Sequence, residues 1–140
     1  SGGIQIHDYN TINTANGLTT SGLSGGGKIV LAGGLDSNSD DIPDGFAGYA
    51  SGGHGIILGV NFGQTTTMHT GGGDIFIKAK SLGGLSTAGL YQMGAWNANS
   101  GKGAIEIIGE NSSSFGINFN QQQYLRLALL FQRYLMRNVT

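Results

Sequence analysis

Four of the eight acidic residues lie in one short stretch, LDSNSDDIPDGFAG, at residues 35–48. Asp36, Asn38 and Asp40 offer side-chain oxygens at alternate positions, and Asp44 offers another beyond Ile42. Calcium binds about six to eight oxygen ligands, which donors at alternate positions and a backbone carbonyl can supply. This spacing makes the four side chains candidate calcium ligands.

Two positions in the same stretch depart from a calcium loop. Asp41 stands where the turn glycine is expected, and Ala47 stands where the chelating acid at the end of the loop is expected. The alternative is a polar loop that binds no ion, with the aromatic residues Phe46 and Tyr49 as its ligand contacts. The two departures favour the polar loop, and no other cofactor is expected.

The other residues that could act in catalysis are scattered. His7, His54 and His69 do not form the paired spacing of a transition-metal site. The acidic residues outside the loop are widely spaced, whereas glycoside cleavage needs carboxylates grouped on one face. The chain has no cysteine, which excludes disulfides and thiolate metal sites. We expect no catalytic residue and no enzymatic activity.

The charge distribution argues against nucleic-acid binding. Residues 1–120 contain four lysines and eight acidic residues, a net charge of −4 that repels phosphate. All three arginines lie in the last twenty residues. Charged residues make up only 11% of the chain, whereas glycine alone accounts for 27 residues. This composition is typical of a Gly-, Ser- and Thr-rich scaffold rather than of a charged, solvated domain.

Two short units alternate along residues 1–120. The first unit is a glycine, one further residue and alternating apolar residues; it occurs at Gly27, Gly73 and Gly103. The second unit is a glycine followed directly by an apolar run. It begins at Gly3, Gly55, Gly89 and Gly116. Alternation rich in β-branched residues predicts strands, and the Thr-rich run at residues 65–67 predicts a third strand between the units.

Three short strands per repeat, with glycine at the corners, predict an all-β parallel β-helix over residues 1–120. In such a solenoid each coil buries its apolar side chains against the next coil. An antiparallel β-sandwich with Gly-rich turns also contains many short strands. A sandwich does not require the same unit to recur, so the repeats favour the β-helix.

The stretches GGGKIVLAGG, GGGDIFIKAKS and GKGAIEIIGENSSSFGINFN resemble the repeats of filamentous-haemagglutinin-type adhesins of bacterial two-partner secretion. The resemblance covers residues 1–120. It implies a β-helical passenger that is secreted or held at the bacterial cell surface. It also implies a role in cell adhesion and virulence.

The last segment, residues 121–140, differs in composition from the rest. It contains no glycine or acidic residue and is rich in Leu, Gln and Arg, which favours an amphipathic helix over residues 121–140. Its apolar face would include Leu127, Leu130 and Phe131, with Arg126 and Arg133 opposite. Three roles remain open for it: a cap on the β-helix, a helix that packs on a membrane surface or partner chain, or a foreign tail.

The sequence therefore predicts a structural and adhesive segment of a secreted or cell-surface bacterial adhesin. Inserted loops would contact a host surface or a glycan, because binding residues concentrate on loops held by a rigid scaffold. The alternative is a fragment of a carbohydrate-active β-helix enzyme, such as a polysaccharide lyase, a hydrolase or a tailspike-like protein.

Overall fold

The structure, a computed structural model, describes residues 3–7, 9–15, 25–49, 53–59, 61, 64–83, 86–119 and 134–139. For Tyr49 and for residues 134–139 it describes the backbone alone. The described residues form twelve strands and no helix, and every ladder between these strands is parallel. The chain is all-β, as the sequence predicts.

The strands are short and follow one another at close intervals. They are β1 (Ile4–Ile6), β2 (Thr11–Asn13), β3 (Ile29–Leu31), β4 (Ala47–Tyr49), β5 (Ile56–Leu58), β6 (Thr65–His69), β7 (Ile75–Ser81), β8 (Ala88–Gln92), β9 (Ala95–Asn99), β10 (Ile105–Asn111), β11 (Phe115–Phe119) and β12 (Tyr134–Val139).

These strands make three sheets, which the chain visits in a fixed order. Sheet A contains β1-β5-β8-β11, sheet B contains β2-β6-β9, and sheet C contains β3-β7-β10-β12, with β4 also paired to β7. One passage through A, B and C is called a coil below, and β1, β2 and β3 belong to the first coil. Successive coils stack in parallel, an arrangement compatible with the predicted parallel β-helix.

The sequence repeats correspond to these sheets. The second unit forms the strands of sheet A, the first unit forms β3, β7 and β10 of sheet C, and the threonine run forms β6 of sheet B. Equivalent residues align between coils, so that Ile29, Ile75 and Ile105 lie opposite one another. Because like residues stack on like residues, one short pattern can build the whole ladder.

The core lies between the three sheets and consists of the inward-facing residue at every second position. In β7 and β10 buried and half-buried residues alternate without interruption. Ile56, Leu58, Met68, Ile75 and Leu90 are fully buried. Burying one such side chain contributes about 1.5–3 kcal/mol, so stacked columns of these residues are the main stabilising element.

A hydroxyl group closes the corner between sheets B and C in each of the three coils whose corner the structure describes. Thr14 Oγ1 donates to the carbonyl of Gly27 at 2.6 Å, and Ser100 Oγ donates to the carbonyl of Gly103 at 2.7 Å. Thr70 makes the same bond in the middle coil. Thr70 and Ser100 are fully buried, and their hydroxyls satisfy carbonyls that the sheets leave unpaired at the bend.

A column of side chains next to this corner is interrupted at His69. Asn13 Oδ1 accepts the amide of Ala15 and Asn99 Oδ1 accepts the amide of Gly101, both at 2.9 Å. His69 lies in register between the two asparagines, and its Nε2 is buried without a hydrogen-bond partner among the described residues. A buried polar atom without a partner destabilises the fold.

We expect His69→Asn to stabilise the chain by about 1 kcal/mol, because the amide of residue 71 gains an acceptor and the unpaired nitrogen is removed. Urea denaturation followed by circular dichroism measures the change. The matched control is Asn99→Ala, which removes the equivalent turn and is expected to destabilise by a similar amount. A loss of stability in His69→Asn would show that the histidine makes a contact that asparagine cannot replace.

The predicted helix over residues 121–140 is not supported. Residues 134–139 form β12, which pairs in parallel with β10 from Tyr134 opposite Ile105 to Val139 opposite Glu110. Helix propensity is a weak preference, and the open edge of β10 offers a ladder of backbone hydrogen bonds that outweighs it. Residues 121–133 lie outside the described residues. No helix long and apolar enough to cross a membrane occurs in the described part of the chain.

Candidate functional site

Residues 32–46 form a loop that interrupts a strand of the first coil. Leu31, at the end of β3, pairs with Ile77, whereas Ala47, at the start of β4, pairs with Ala79. The whole loop is therefore inserted opposite one residue of β7, Lys78. An antiparallel bridge between Gly33 and Gly45 closes its base. The sequence predicted a polar loop at this point, and the structure places this loop within a strand of sheet C.

The predicted calcium ligands lie together inside this loop, but their oxygens accept backbone amides. The carboxylate of Asp36 accepts the amide of Asp40 at 3.2 Å and that of Asp41 at 2.8 Å. Asp40 Oδ1 accepts the amide of Ile42 at 2.9 Å, and Asn38 Nδ2 donates to Asp40 Oδ2 at 3.1 Å. These bonds hold consecutive turns of the loop in one conformation.

Asp44 ties the two ends of the loop together. Its carboxylate accepts both the hydroxyl and the amide of Ser37, the amide at 2.8 Å, and its own amide donates to the carbonyl of Leu35 at 3.0 Å. The hydrogen bonds from the Ser37 side chain and backbone, with a smaller contribution from Lys78, lower the pKa of Asp44 below its ordinary value. Asp44 therefore stays ionised in its structural role at neutral pH.

The two residues that depart from a calcium loop, Asp41 and Ala47, differ in whether they can replace the residue expected at their position. Asp41 adopts a left-handed conformation with φ of 63°, which is the conformation that a turn glycine supplies, and aspartate tolerates it better than most residues. Ala47 is buried in the core and offers no oxygen from its side chain. Among the described residues no three acidic or histidine side chains converge to hold a metal. The polar loop without an ion stays the prediction and calcium binding its untested alternative; a rise in melting temperature with millimolar calcium would reveal calcium binding.

Lysine side chains on the outer face of sheet C hold the loop in place. Lys28 Nζ donates to the carbonyl of Asp40 at 3.1 Å, and Lys78 Nζ donates to the carbonyl of Pro43 at 3.2 Å. These two contacts were not predicted from the sequence. The position of both lysines close to the inserted loop was the only sequence signal for these contacts. Which carbonyl each lysine reaches depends on strand register, which the local sequence does not specify.

The predicted ligand contacts Phe46 and Tyr49 lie where the loop rejoins the sheet. The ring of Phe46 is half-buried, and Lys80 Nζ lies 5.7 Å from its centroid. Lys80 Nζ also forms an ion pair with Glu110 Oε2 at 2.8 Å, which links the second and third coils. Tyr49 pairs through its backbone with Ser81, and its side chain lies outside the described part of the structure.

A stacked pair of aromatic rings, which was not predicted from the sequence, lies at sheet A. The rings of His54 and Tyr91 stack with centroids 4.2 Å apart and planes 10° from parallel. His54 Nδ1 accepts the amide of Ala88 at 3.0 Å, so this nitrogen carries no proton. Burial lowers the pKa of His54 below its ordinary value of 6.5. The histidine is therefore held neutral in the folded chain.

We expect the melting temperature to fall as the solution is acidified from neutral pH through pH 6.5, the ordinary pKa of histidine. The unfolded chain takes up a proton on His54 as the pH falls through 6.5, whereas the folded chain resists it. The stabilisation is therefore complete above this pH and is lost as the pH falls towards the lowered pKa. His54→Gln should flatten the profile over this interval; an equally steep profile would assign the effect to another group.

The chain was also compared with known proteins. No protein-family model, no curated protein and no solved structure matches it. The features that bear on function are therefore the inserted loop, its lysine contacts and the aromatic pair on sheet A.

Proposed function

We propose that this chain is a structural and adhesive segment of a bacterial adhesin that is secreted or held at the cell surface. Its parallel β-helix would hold the molecule out as a stiff rod, and the loop at residues 32–46 would contact a host surface or a glycan. The resemblance of residues 1–120 to filamentous-haemagglutinin-type repeats supports this proposal.

The observation that carries the proposal is the position of the loop in the ladder. Strand register is the same on both sides of the insertion, with Leu31 opposite Ile77 and Ala47 opposite Ala79. The scaffold does not need residues 32–46 to complete this strand. A segment that projects from a continuous ladder and is not required by it is a typical carrier of binding residues.

The loop is also organised before any ligand arrives. Internal bonds to Asp36, Asp40 and Asp44 fix its turns, and Lys28 and Lys78 hold it to sheet C. A loop that is already ordered loses less conformational entropy on binding, so a small surface can still give useful affinity.

The loop surface mixes apolar and polar groups. Leu35 is 85% exposed, and the polar residues Asn38 and Ser39 of the same loop are also exposed. Phe46 adds a half-buried aromatic ring at the base of the loop. Exposed apolar, amide and hydroxyl groups in one loop suit a sugar, which presents C–H faces and hydroxyls together.

A loop deletion tests the proposal. Replacing residues 32–46 by one glycine should leave the β circular-dichroism spectrum unchanged and abolish binding to host cells and to immobilised glycans. A second variant, Leu35→Ser, should weaken binding without altering the ladder. The matched control is Leu82→Ser, which changes another exposed leucine (52% exposed) far along the chain. Unchanged binding by both loop variants would refute the proposed role of the loop.

A further inference from the structure

Asp44 is the only aspartate in the chain that precedes a glycine. An aspartyl–glycyl bond can rearrange without an enzyme, because the amide nitrogen of the glycine attacks the side-chain carboxyl carbon of the aspartate. A new C–N bond closes a five-membered succinimide ring, and a carboxyl C–O bond breaks to release one water molecule. Water then reopens the ring at either carbonyl and gives aspartate or isoaspartate. Glycine favours the attack because no side chain shields its nitrogen.

The inserted loop depends on both residues of this dipeptide. Gly45 pairs with Gly33 at the base of the loop, and a Cβ on Gly45 would lie 2.6 Å from the carbonyl oxygen of Gly33. Asp44 joins the two ends of the loop, because its carboxylate accepts the hydroxyl and the amide of Ser37. A side chain at position 45, or the loss of the carboxylate at position 44, would disturb the loop. The fold therefore retains a dipeptide that is prone to rearrange.

Ser37 stabilises the unreactive form of this carboxyl group. Its hydroxyl and its amide both donate to Oδ2 of Asp44, the amide at 2.8 Å, and these bonds lower the pKa of Asp44. Ring closure proceeds through the protonated carboxyl, because an ionised carboxylate has no leaving group. Hydrogen bonds to a carboxylate are stronger than those to a neutral carboxyl, so Ser37 stabilises the starting state more than the state that reacts.

We propose that the Asp44–Gly45 bond is a site of spontaneous aspartate isomerisation and that Ser37 sets the rate of this reaction in the folded chain. Asp44 and Ser37 are both exposed, so the water that reopens the ring has access to it. Isoaspartate routes the main chain through Cβ, which adds one backbone atom directly before the bridge between Gly33 and Gly45. The side-chain carboxyl becomes part of the main chain, so the reaction also removes the carboxylate that Ser37 binds.

The test incubates the full chain and the variant Ser37→Ala at neutral pH and follows isoaspartate at residue 44 over time. Chromatography of protease digests separates the two forms of the loop peptide, and electron-transfer fragmentation locates the isomerised residue. We expect isoaspartate to form in the wild type and roughly tenfold faster in Ser37→Ala, which loses a hydrogen bond to a charged group. Ser37→Thr keeps the hydroxyl and should react like the wild type. Ser112→Ala, the same change at an exposed serine outside the loop, should also leave the rate unchanged.

The same chains unfolded in guanidinium chloride show whether the folded loop is responsible. Unfolded wild type should isomerise faster than folded wild type, and unfolded Ser37→Ala should react at the same rate as unfolded wild type. Three results would overturn the proposal: no isoaspartate at residue 44 in either folded chain, equal rates for folded wild type and Ser37→Ala, or a Ser37→Ala effect that persists in the unfolded chain. Acceleration in Ser37→Thr as large as that in Ser37→Ala would also overturn it, because the hydroxyl would then not set the rate.

Discussion

Gly73→Ala is expected to destabilise the chain by roughly 3 kcal/mol or more, a large part of the stability of a domain of this size. Its Cβ would lie 2.3 Å from the carbonyl oxygen of Gly27 and 2.6 Å from that of Gly26. Both are backbone atoms that cannot rotate away, so the two coils would have to separate. Urea denaturation of the purified variant measures the loss, and failure to fold is the extreme form of the same result.

The matched control for this prediction is Gly27→Ala. The two glycines occupy the same position in successive coils, but a Cβ at position 27 meets nothing closer than 3.4 Å among the described residues. We expect Gly27→Ala to change the free energy of unfolding by less than about 0.5 kcal/mol, the usual range for a surface substitution. Equal effects of the two substitutions would mean that the second coil does not stack on the first as described.

Leu90→Ala is expected to cost about 3 kcal/mol in the free energy of unfolding. Leu90 is fully buried and stands in a column with Ile56 in the coil before it and Ile117 in the coil after it. Truncating it leaves a cavity that the rigid sheets on both sides cannot fill by collapsing. Chemical denaturation of both proteins under identical conditions gives the difference.

Leu82→Ala is the control for the buried leucine, because the chemical change is identical and Leu82 is 52% exposed. We expect Leu82→Ala to lower the free energy of unfolding by less than about 0.5 kcal/mol. If the two substitutions lower the free energy of unfolding equally, Leu90 does not lie in the interior. The stacking of Leu90 in a column of apolar side chains would then be contradicted.

The strands of sheet A and the strands β3, β7 and β10 of sheet C could be predicted because their signal is local. The repeat unit of each has a glycine followed by an apolar pattern, as at Gly73 and Gly89, and this pattern indicates both the strand and the residues that face inward. The stacking of coils explains why these positions are glycine, because a side chain there would collide with the backbone of a neighbouring coil. The local pattern and the long-range packing agree in these strands.

The tail shows where a local pattern is insufficient. Tyr134, Leu135 and Met136 are compatible with a helix by composition, but they pair with β10 as a strand. Pairing with a strand edge far away in the sequence is not encoded in the composition of the segment. The prediction of a helix was wrong there because a long-range ladder overrides intrinsic propensity.

The candidate site was predictable only in part. The stretch around Asp36 and Asp44 was identified as a special loop from its acidic and turn-forming residues. The contacts of Lys28 and Lys78 with loop carbonyls and the stack of His54 on Tyr91 could not be predicted. These contacts join residues from different parts of the chain, and strand register alone brings them together.

Engineered cysteine pairs test the stacking of parallel coils most directly, since the chain has no cysteine of its own. Thr67 and Asn97 are in register on β6 and β9. Adjacent strands lie about 4.8 Å apart, within the Cα separation of about 4.4–6.8 Å that a disulfide spans. The Thr67→Cys/Asn97→Cys variant is therefore expected to form an intrachain disulfide on mild oxidation, detectable by mass spectrometry. Thr65→Cys/Asn97→Cys, displaced along the strand, should not; a crosslink in the displaced pair and none in the aligned pair would contradict the parallel β-helix.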